Sequence, residues 1–360
     1  MPVSAAPAAS TGWTITAFDP ESDDLARDWN ALIARSDGSP VQRAELLFAA
    51  ARHYAPPRLR LATMRRDGLV VAMALIGAHR LLPEVFVASQ TPLGAWVQAP
   101  GEDLVGLARA LLARLPFALR LGVPQLDPRH AAPPAAGDRL ATVALLPYIR
   151  TPWLAIEGDF ASYWAARGRN LRANLRKQRE RLAARGESLR IEILREPADM
   201  GRAVADYAAL EARGWKAGEG TALLPGQAQA RFYTDALERL AAAGVAEVWR
   251  GLVGERLVAC ELCLRERGEF AILKTTYDET MAPLSPAALM RLEMFERLHA
   301  DGDVRRVEFY GPLKEWHSRW SHATRDVYHA NVHAGRAAAS LLAAARAIRA
   351  RAGGRAAAPE

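Results

Sequence analysis

The stretch from Glu269 to His299, EFAILKTTYDETMAPLSPAALMRLEMFERLH, decides the fold. Glu269–Tyr277 is rich in β-branched and aromatic residues and reads as a strand. Pro286–His299 reads as a helix, with Ser285 as its N-cap and Pro286 in its first turn. A strand that feeds a helix through a short loop aims backbone N–H groups beyond the strand's end. The helix dipole adds positive potential there, so a phosphate is welcome. A plain capped helix without a ligand gives the same local pattern.

Outward from this unit the order of elements is regular. Strands at Val245–Val253 and Arg256–Arg265 precede it, with turns at Gly254-Glu255 and Arg267-Gly268. A strand at Val304–Phe309, a loop or short helix at Gly311–Trp320 and a strand at Arg325–Val332 follow it. Upstream lie a strand (Leu189–Leu194), a helix (Pro197–Trp215), a Gly-rich loop (Lys216–Gly226) and a helix (Ala228–Ala243). The first half has a similar order. A strand begins at Trp13, and helices run to Arg35 and over Ala44–Tyr54. A hairpin turning at Asp67-Gly68 joins strands Arg58–Met64 and Leu69–His79. A helix at Glu102–Leu115 and strands at Ala118–Val123 and Leu140–Tyr148 complete that half. Pro152 then starts afresh, with a short strand at Trp153–Ile156. This predicts a mixed α/β (α+β) protein with largely antiparallel sheets. Its expected parts are a disordered 1–12, domains over 13–150 and 151–333, and an Ala/Arg-rich tail over 334–360.

Composition narrows the class. The 360 residues are 50% hydrophobic and 24% charged, an ordinary globular balance. The net charge of +7 is uneven. Eight bases and one acid lie between Arg167 and Arg185, and the tail from Ala334 holds five Arg against one Glu, leaving a mildly acidic body. Two cysteines cannot frame a disulfide-rich secreted fold. The N-terminus lacks the basic and apolar regions of a signal peptide. No apolar run approaches the length of a membrane span. A cytoplasmic location is expected.

Two stretches carry candidate chemistry. In Leu210–Thr221 a carboxylate, Glu211, stands beside Trp215, Lys216 and glycines. A carboxylate near apolar surface can serve as a general base. In Glu308–Trp320 aromatics, a Gly break and Lys314 follow a strand. There Tyr310 is a candidate proton donor to a leaving group, and Lys314 a candidate holder of an oxyanion or phosphate. The basic helix has one apolar stripe, Leu171, Leu175 and Leu182, by which it docks. Its other faces suit RNA or phosphate contact. Cys260 and Cys263 have metal-like spacing but no second pair. On a strand, residues three apart face opposite ways, so core cysteines and no metal are expected.

The order of these motifs resembles the CelD-type (cellulose-biosynthesis-associated) acetyltransferases of the GNAT superfamily over Trp153–Val332. The matching stretches are Asn170-Leu171-Arg172 in the basic helix, Glu211 with Trp215-Lys216 and Gly220-Thr221, Lys274-Thr275-Thr276-Tyr277-Asp278, Leu284-Ser285-Pro286, and Glu308-Phe309 with Gly311, Lys314 and Trp320. The resemblance implies tandem GNAT-like domains, the first a degenerate copy. It implies transfer of an acetyl or acyl group from acetyl-CoA or another acyl-CoA to an amine or hydroxyl acceptor, a small molecule or saccharide, in polysaccharide or cell-envelope metabolism. Tyr277 and Ser285, Pro286, Ala287 and Ala288 would hold the CoA, although Ala287 stands where the family usually has Gly. Glu211 would be the base, Tyr310 the acid and Lys314 the oxyanion or phosphate holder. Trp215, Lys216 and Trp316 would bind the acceptor. Fem-type aminoacyl transferases share the doubled fold and have a Lys in a context similar to Lys314; they use aminoacyl-tRNA, an alternative partner here. A GNAT-fold scaffold without catalysis is the third reading.

Overall fold

The computed structural model describes residues 11–355, except 37, 57, 135–140 and 213–226. The first half comprises β1 (Gly12–Ala17), α1 (Asp23–Arg35), α2 (Ala44–Tyr54), β2 (Arg60–Arg66), β3 (Leu69–Ile76), β4 (Trp96–Gln98), α3 (Leu104–Leu112) and β5 (Arg120–Leu126). A long strand, β6 (Val143–Ala155), leads to α4 (Phe160–Ala165), α5 (Arg169–Ala183), β7 (Leu189–Leu194), α6 (Pro197–Glu211) and α7 (Ala228–Ala242). Then come β8 (Ala246–Val253), β9 (Arg256–Glu266), β10 (Glu269–Tyr277), α8 (Pro286–Asp301), β11 (Arg306–Glu308), α9 (Glu315–Ser318), β12 (Thr324–His333) and α10 (Arg336–Arg355). Among the described residues no helix is long and apolar enough to cross a membrane.

Four strands, β1-β2-β3-β4, form one antiparallel sheet. The other eight follow the order β5-β12-β6-β11-β10-β9-β8-β7. The sequence suggested a strand ending at Tyr148 and a new one at Trp153; the chain instead runs through as β6. Its first part pairs with β12 and its last three residues with β11. Pro147 is tolerated because the ladder shifts register beside it, between Val327 and Tyr328. β12, from the end of the chain, lies between β5 and β6 and pairs with both. The expected boundary at 150/151 thus falls inside a strand, and one sheet runs through both halves.

Each face of this sheet buries its own core. Toward α6 and α7 the core continues into the first half, where Trp29, Trp96 and Phe48 are buried. Tyr54 of α2 meets Phe232 of α7 with ring centroids 5.5 Å apart, and Arg52 meets Asp235 at 2.8 Å. On the opposite face, α5 and α8 cover Phe270, Ile272 and Cys263. The Leu171, Leu175 and Leu182 stripe of α5 is buried there. Cys260 joins the first core and Cys263 the second, as period-2 alternation requires.

A buried ionic network fastens the halves. Arg325 of β12 holds both oxygens of Asp127 at 2.9 Å and both oxygens of Glu308 at 2.9 and 2.7 Å. Arg129 adds contacts of 2.8 Å to Glu269 and 3.0 Å to Glu308. Asp127 and Glu308 have essentially no exposure, so each charge depends on its partners rather than on water.

Candidate active site

β10 and β11 are parallel and pair only from Glu269–Ala271 to Arg306–Glu308. β10 continues to Tyr277, while the chain after β11 turns away toward α9. The free end of β10, the start of α8, α5, the end of α6 and α9 line a cavity of about 470 Å³. Local chemistry sets each wall. Asp278 caps the 3-10 turn Glu279–Leu284 by accepting from the Thr280 N–H at 3.0 Å. Ser285 then takes a left-handed conformation, φ 51°, unusual for a residue with a side chain, and this reverses the chain into α8.

The start of α8 is narrower in donors than a free helix end. Ser285 gives its N–H to Ala282 O at 2.9 Å, and Ala288 gives its own to Ser285 O at 3.0 Å. Pro286 has none, so within Ser285–Ala288 the N–H of Ala287 is left to face the cavity. The Asn174 amide reaches in from α5 and donates to Ser285 Oγ at 3.3 Å. This end of the cavity suits an anion through the helix dipole, one N–H and neutral polar side chains.

Cations line the cavity as well, one of them from α8 itself. Lys314, Arg319 and Arg291 all border the cavity. Arg291 is 4% exposed, hydrogen-bonds Glu261 and lies 4.3 Å over the Trp316 ring. Trp316 stacks on His317 with centroids 3.6 Å apart. Burial pushes His317 down to about 4, against the pull of the Lys314 backbone. Its imidazole is therefore neutral near pH 7, and its Nδ1 accepts the Lys314 N–H at 2.9 Å. Trp316 and Trp320 give this part of the cavity its apolar surface.

Glu211, the last residue of α6, lies at the cavity with only 1% exposure. Its Oε1 accepts from the Tyr207 hydroxyl at 3.1 Å, and its Oε2 lies 3.9 Å from Lys274 Nζ. Burial, reinforced by the charge of Glu211, pushes the Tyr207 phenol well above its usual range, so it remains a donor. Lys274 also faces the rings of Tyr207 and Tyr233, at 5.9 and 5.7 Å. The arrangement sets a neutral donor and an ammonium beside a buried carboxylate. It can accept a proton from an amine without losing its orientation.

Of the residues singled out from sequence, the structure brings together Glu211, Tyr277, Ser285, Pro286, Ala287, Ala288, Lys314 and Trp316 on this one cavity. Trp215 and Lys216 lie outside the described residues. Tyr310 is not brought to the cavity, which corrects its expected place there. It takes φ 46°, and while Phe309 packs in the core beneath α8, Tyr310 packs in the other core. Its hydroxyl faces Glu269 at 3.4 Å, and Arg325 lies 5.3 Å over its ring. Burial and the neighbouring carboxylates push its phenol well above the ordinary range.

Sequence reasoning missed Arg291, Lys274, Asn174 and Trp320 as site residues. A signal existed for Arg291: it is flanked by Met290 and Leu292, on a helix whose neighbours are Leu289, Met294 and Phe295. A lone cation among apolar positions implies a buried partner. That partner, Glu261, sits between the two cysteines of β9. Among the described residues no group of three His, Cys, Asp or Glu is placed to hold a metal.

Comparisons with known proteins bear on the fold. No curated protein sequence matches the chain. Among solved structures, the C-terminal domain described as that of a lysylphosphatidylglycerol synthetase from Agrobacterium fabrum superposes with a TM-score of 0.54 at 13% identity, covering 89% of this chain and 95% of that one. L-PGS from Bacillus licheniformis gives 0.53 at 12% identity, covering 89% and 94%. FemX gives 0.54 at 10% identity, covering 89% and 98%. At such identities these likenesses concern the fold alone. Residues 169–318 match the family described as an acetyltransferase (GNAT) domain, and this span holds every residue lining the cavity except Arg319 and Trp320. The chain is thus a mixed α/β protein in which residues 169–318 are similar to an acetyltransferase (GNAT) domain.

Proposed function

We propose that the protein transfers an acetyl or other acyl group from an acyl-CoA to an amine or hydroxyl acceptor, a small molecule or saccharide of polysaccharide or cell-envelope metabolism. The observation that carries this reading is the convergence on one cavity of a buried carboxylate, the start of α8 and cationic side chains. Ala287 and Asn174 would hold the CoA phosphates, and Tyr277 would line the donor's side of the cavity. The acceptor nitrogen attacks the thioester carbonyl, a C–N bond forms and the C–S bond breaks. Glu211 takes the proton that the nitrogen loses, directly or through a water. Lys314 faces the negative charge on the carbonyl oxygen or the phosphates. The departing thiolate takes its proton from solvent at the cavity mouth. Trp316 supplies a wall of the acceptor site.

An aminoacyl-tRNA donor is the second reading. Its support is α5, which borders the cavity through Leu171 and Asn174 and carries an exposed basic face. One assay separates the two. Free thiol released from acetyl-CoA on adding a panel of amines and amino sugars is the expected result. No release with any acceptor, together with salt-sensitive tRNA binding lost in Arg172→Ala/Arg176→Ala, would favour the second reading.

A further inference from the structure

A pole of the first half has no part in the acyl-transfer reading. There the turn after α3 runs Leu115-Pro116-Phe117-Ala118, closed by the Ala118 N–H donating to Leu115 O at 3.2 Å. Pro116 takes the second position and Phe117 the third, with φ 67°. A positive φ at that position is what a glycine supplies without strain. Here it is held by a phenylalanine that is 65% exposed. The strain is not compensated by burial within the fold, so it presents an aromatic ring to the outside.

The surroundings of Phe117 share this character. Arg80 lies 4.2 Å over its ring, and beside Arg80 is Leu81, 47% exposed. The Leu81 carbonyl accepts the Leu119 N–H, and the Leu119 carbonyl accepts the Ala334 N–H. These bonds bring the start of α10 to the same pole, and α10 carries Leu341, 60% exposed. Arg114 and Arg336 are exposed here as well. The nearby acid, Glu84, faces Arg120 at 3.6 Å. Beyond Arg336 the sequence holds four more arginines against one glutamate.

We propose that this pole docks on the surface of an anionic phospholipid bilayer, with Phe117, Leu81 and Leu341 entering the interface and the arginines meeting the lipid phosphates. Charge complementarity selects this occupant. The apolar side chains stand on turn tips and a helix, collared by guanidinium groups rather than sunk in a groove. Such a collar suits phosphates above an apolar layer. The attachment is peripheral and does not depend on the chemistry in the cavity.

Co-sedimentation of the full chain with vesicles tests it. The chain should pellet with phosphatidylglycerol-containing vesicles, about tenfold less with phosphatidylcholine alone, and be released by salt. Phe117→Gly should raise Tm, because glycine relieves the turn, and yet lower vesicle partition by about tenfold. Arg80→Glu should lower partition with Tm unchanged. Absence of pelleting with anionic vesicles would overturn the proposal, as would partition unaltered in Phe117→Gly/Leu81→Ser. A wild-type dimer that Phe117→Gly converts to a monomer would make this pole a self-interface and overturn it too.

Discussion

Replacing Glu211 by glutamine is expected to lower the rate of acyl transfer by about 10²- to 10⁴-fold, the range that a positioned general base supplies. The substitution keeps shape and leaves an oxygen to accept from Tyr207, so the fold should hold. What it removes is the ability to take a proton. The KM for acyl-CoA should change little, because the donor end of the cavity lies at α8. Lys314→Ala should give a smaller loss of turnover with the fold intact. Wild-type rates in both variants would remove these residues from the mechanism.

Arg325→Leu carries the largest expected effect on stability. The side chain is 11% exposed and bridges Asp127 of the first half to Glu308 of the second, each 0% exposed. Removing one partner of a buried ion pair leaves charges that neither water nor protein compensates. The typical cost is about 3–5 kcal/mol. Two carboxylates lose their guanidinium here: Glu308 keeps Arg129 at 3.0 Å and Arg306 at 3.6 Å, whereas Asp127 keeps the Arg129 backbone N–H at 3.0 Å. Urea unfolding of the purified chain should show a midpoint lowered accordingly, with the slope unchanged. Arg150→Leu is the control. Arg150 and Asp326 pair across the same β6–β12 ladder at 2.8 Å but are 61% and 59% exposed. Solvent screens that pair, so its loss should move the midpoint little. Equal effects in the two variants would mean that the network does not hold the halves together.

Much of this was legible in local pattern. The strand and helix of the decisive unit lie where period and Pro286 put them, and eight of the singled-out residues share one cavity, but Ser285 precedes the helix without a side-chain capping bond. The stripe on α5 and the opposite-facing cysteines follow from helical and strand periodicity alone. What local pattern misses is pairing at long range. Pro152 looks like a beginning because proline usually breaks a strand, yet β12 returns from far along the chain to pair across it. Tyr310 follows Phe309 directly, yet the two pack in different cores and only Phe309 lies on the side of α8. Arg291 and Glu261 are thirty positions apart, and their contact exists only once α8 packs on β9. The strength of the donor end was the least legible part, because hydrogen bonds within the turn decide how many N–H groups face the cavity.

The central claim is that the cavity between β10, α8 and α9 binds an acyl-CoA, and thermal unfolding with acetyl-CoA measures this directly. A ligand that binds only the folded state stabilises it by about 2.7 kcal/mol at a hundred times its Kd. Tm should therefore rise steadily with acetyl-CoA concentration, and Ala288→Trp, which fills the cavity beside Ser285, should abolish the rise. A Tm that does not move at millimolar acetyl-CoA, or that moves equally in Ala288→Trp, would contradict it.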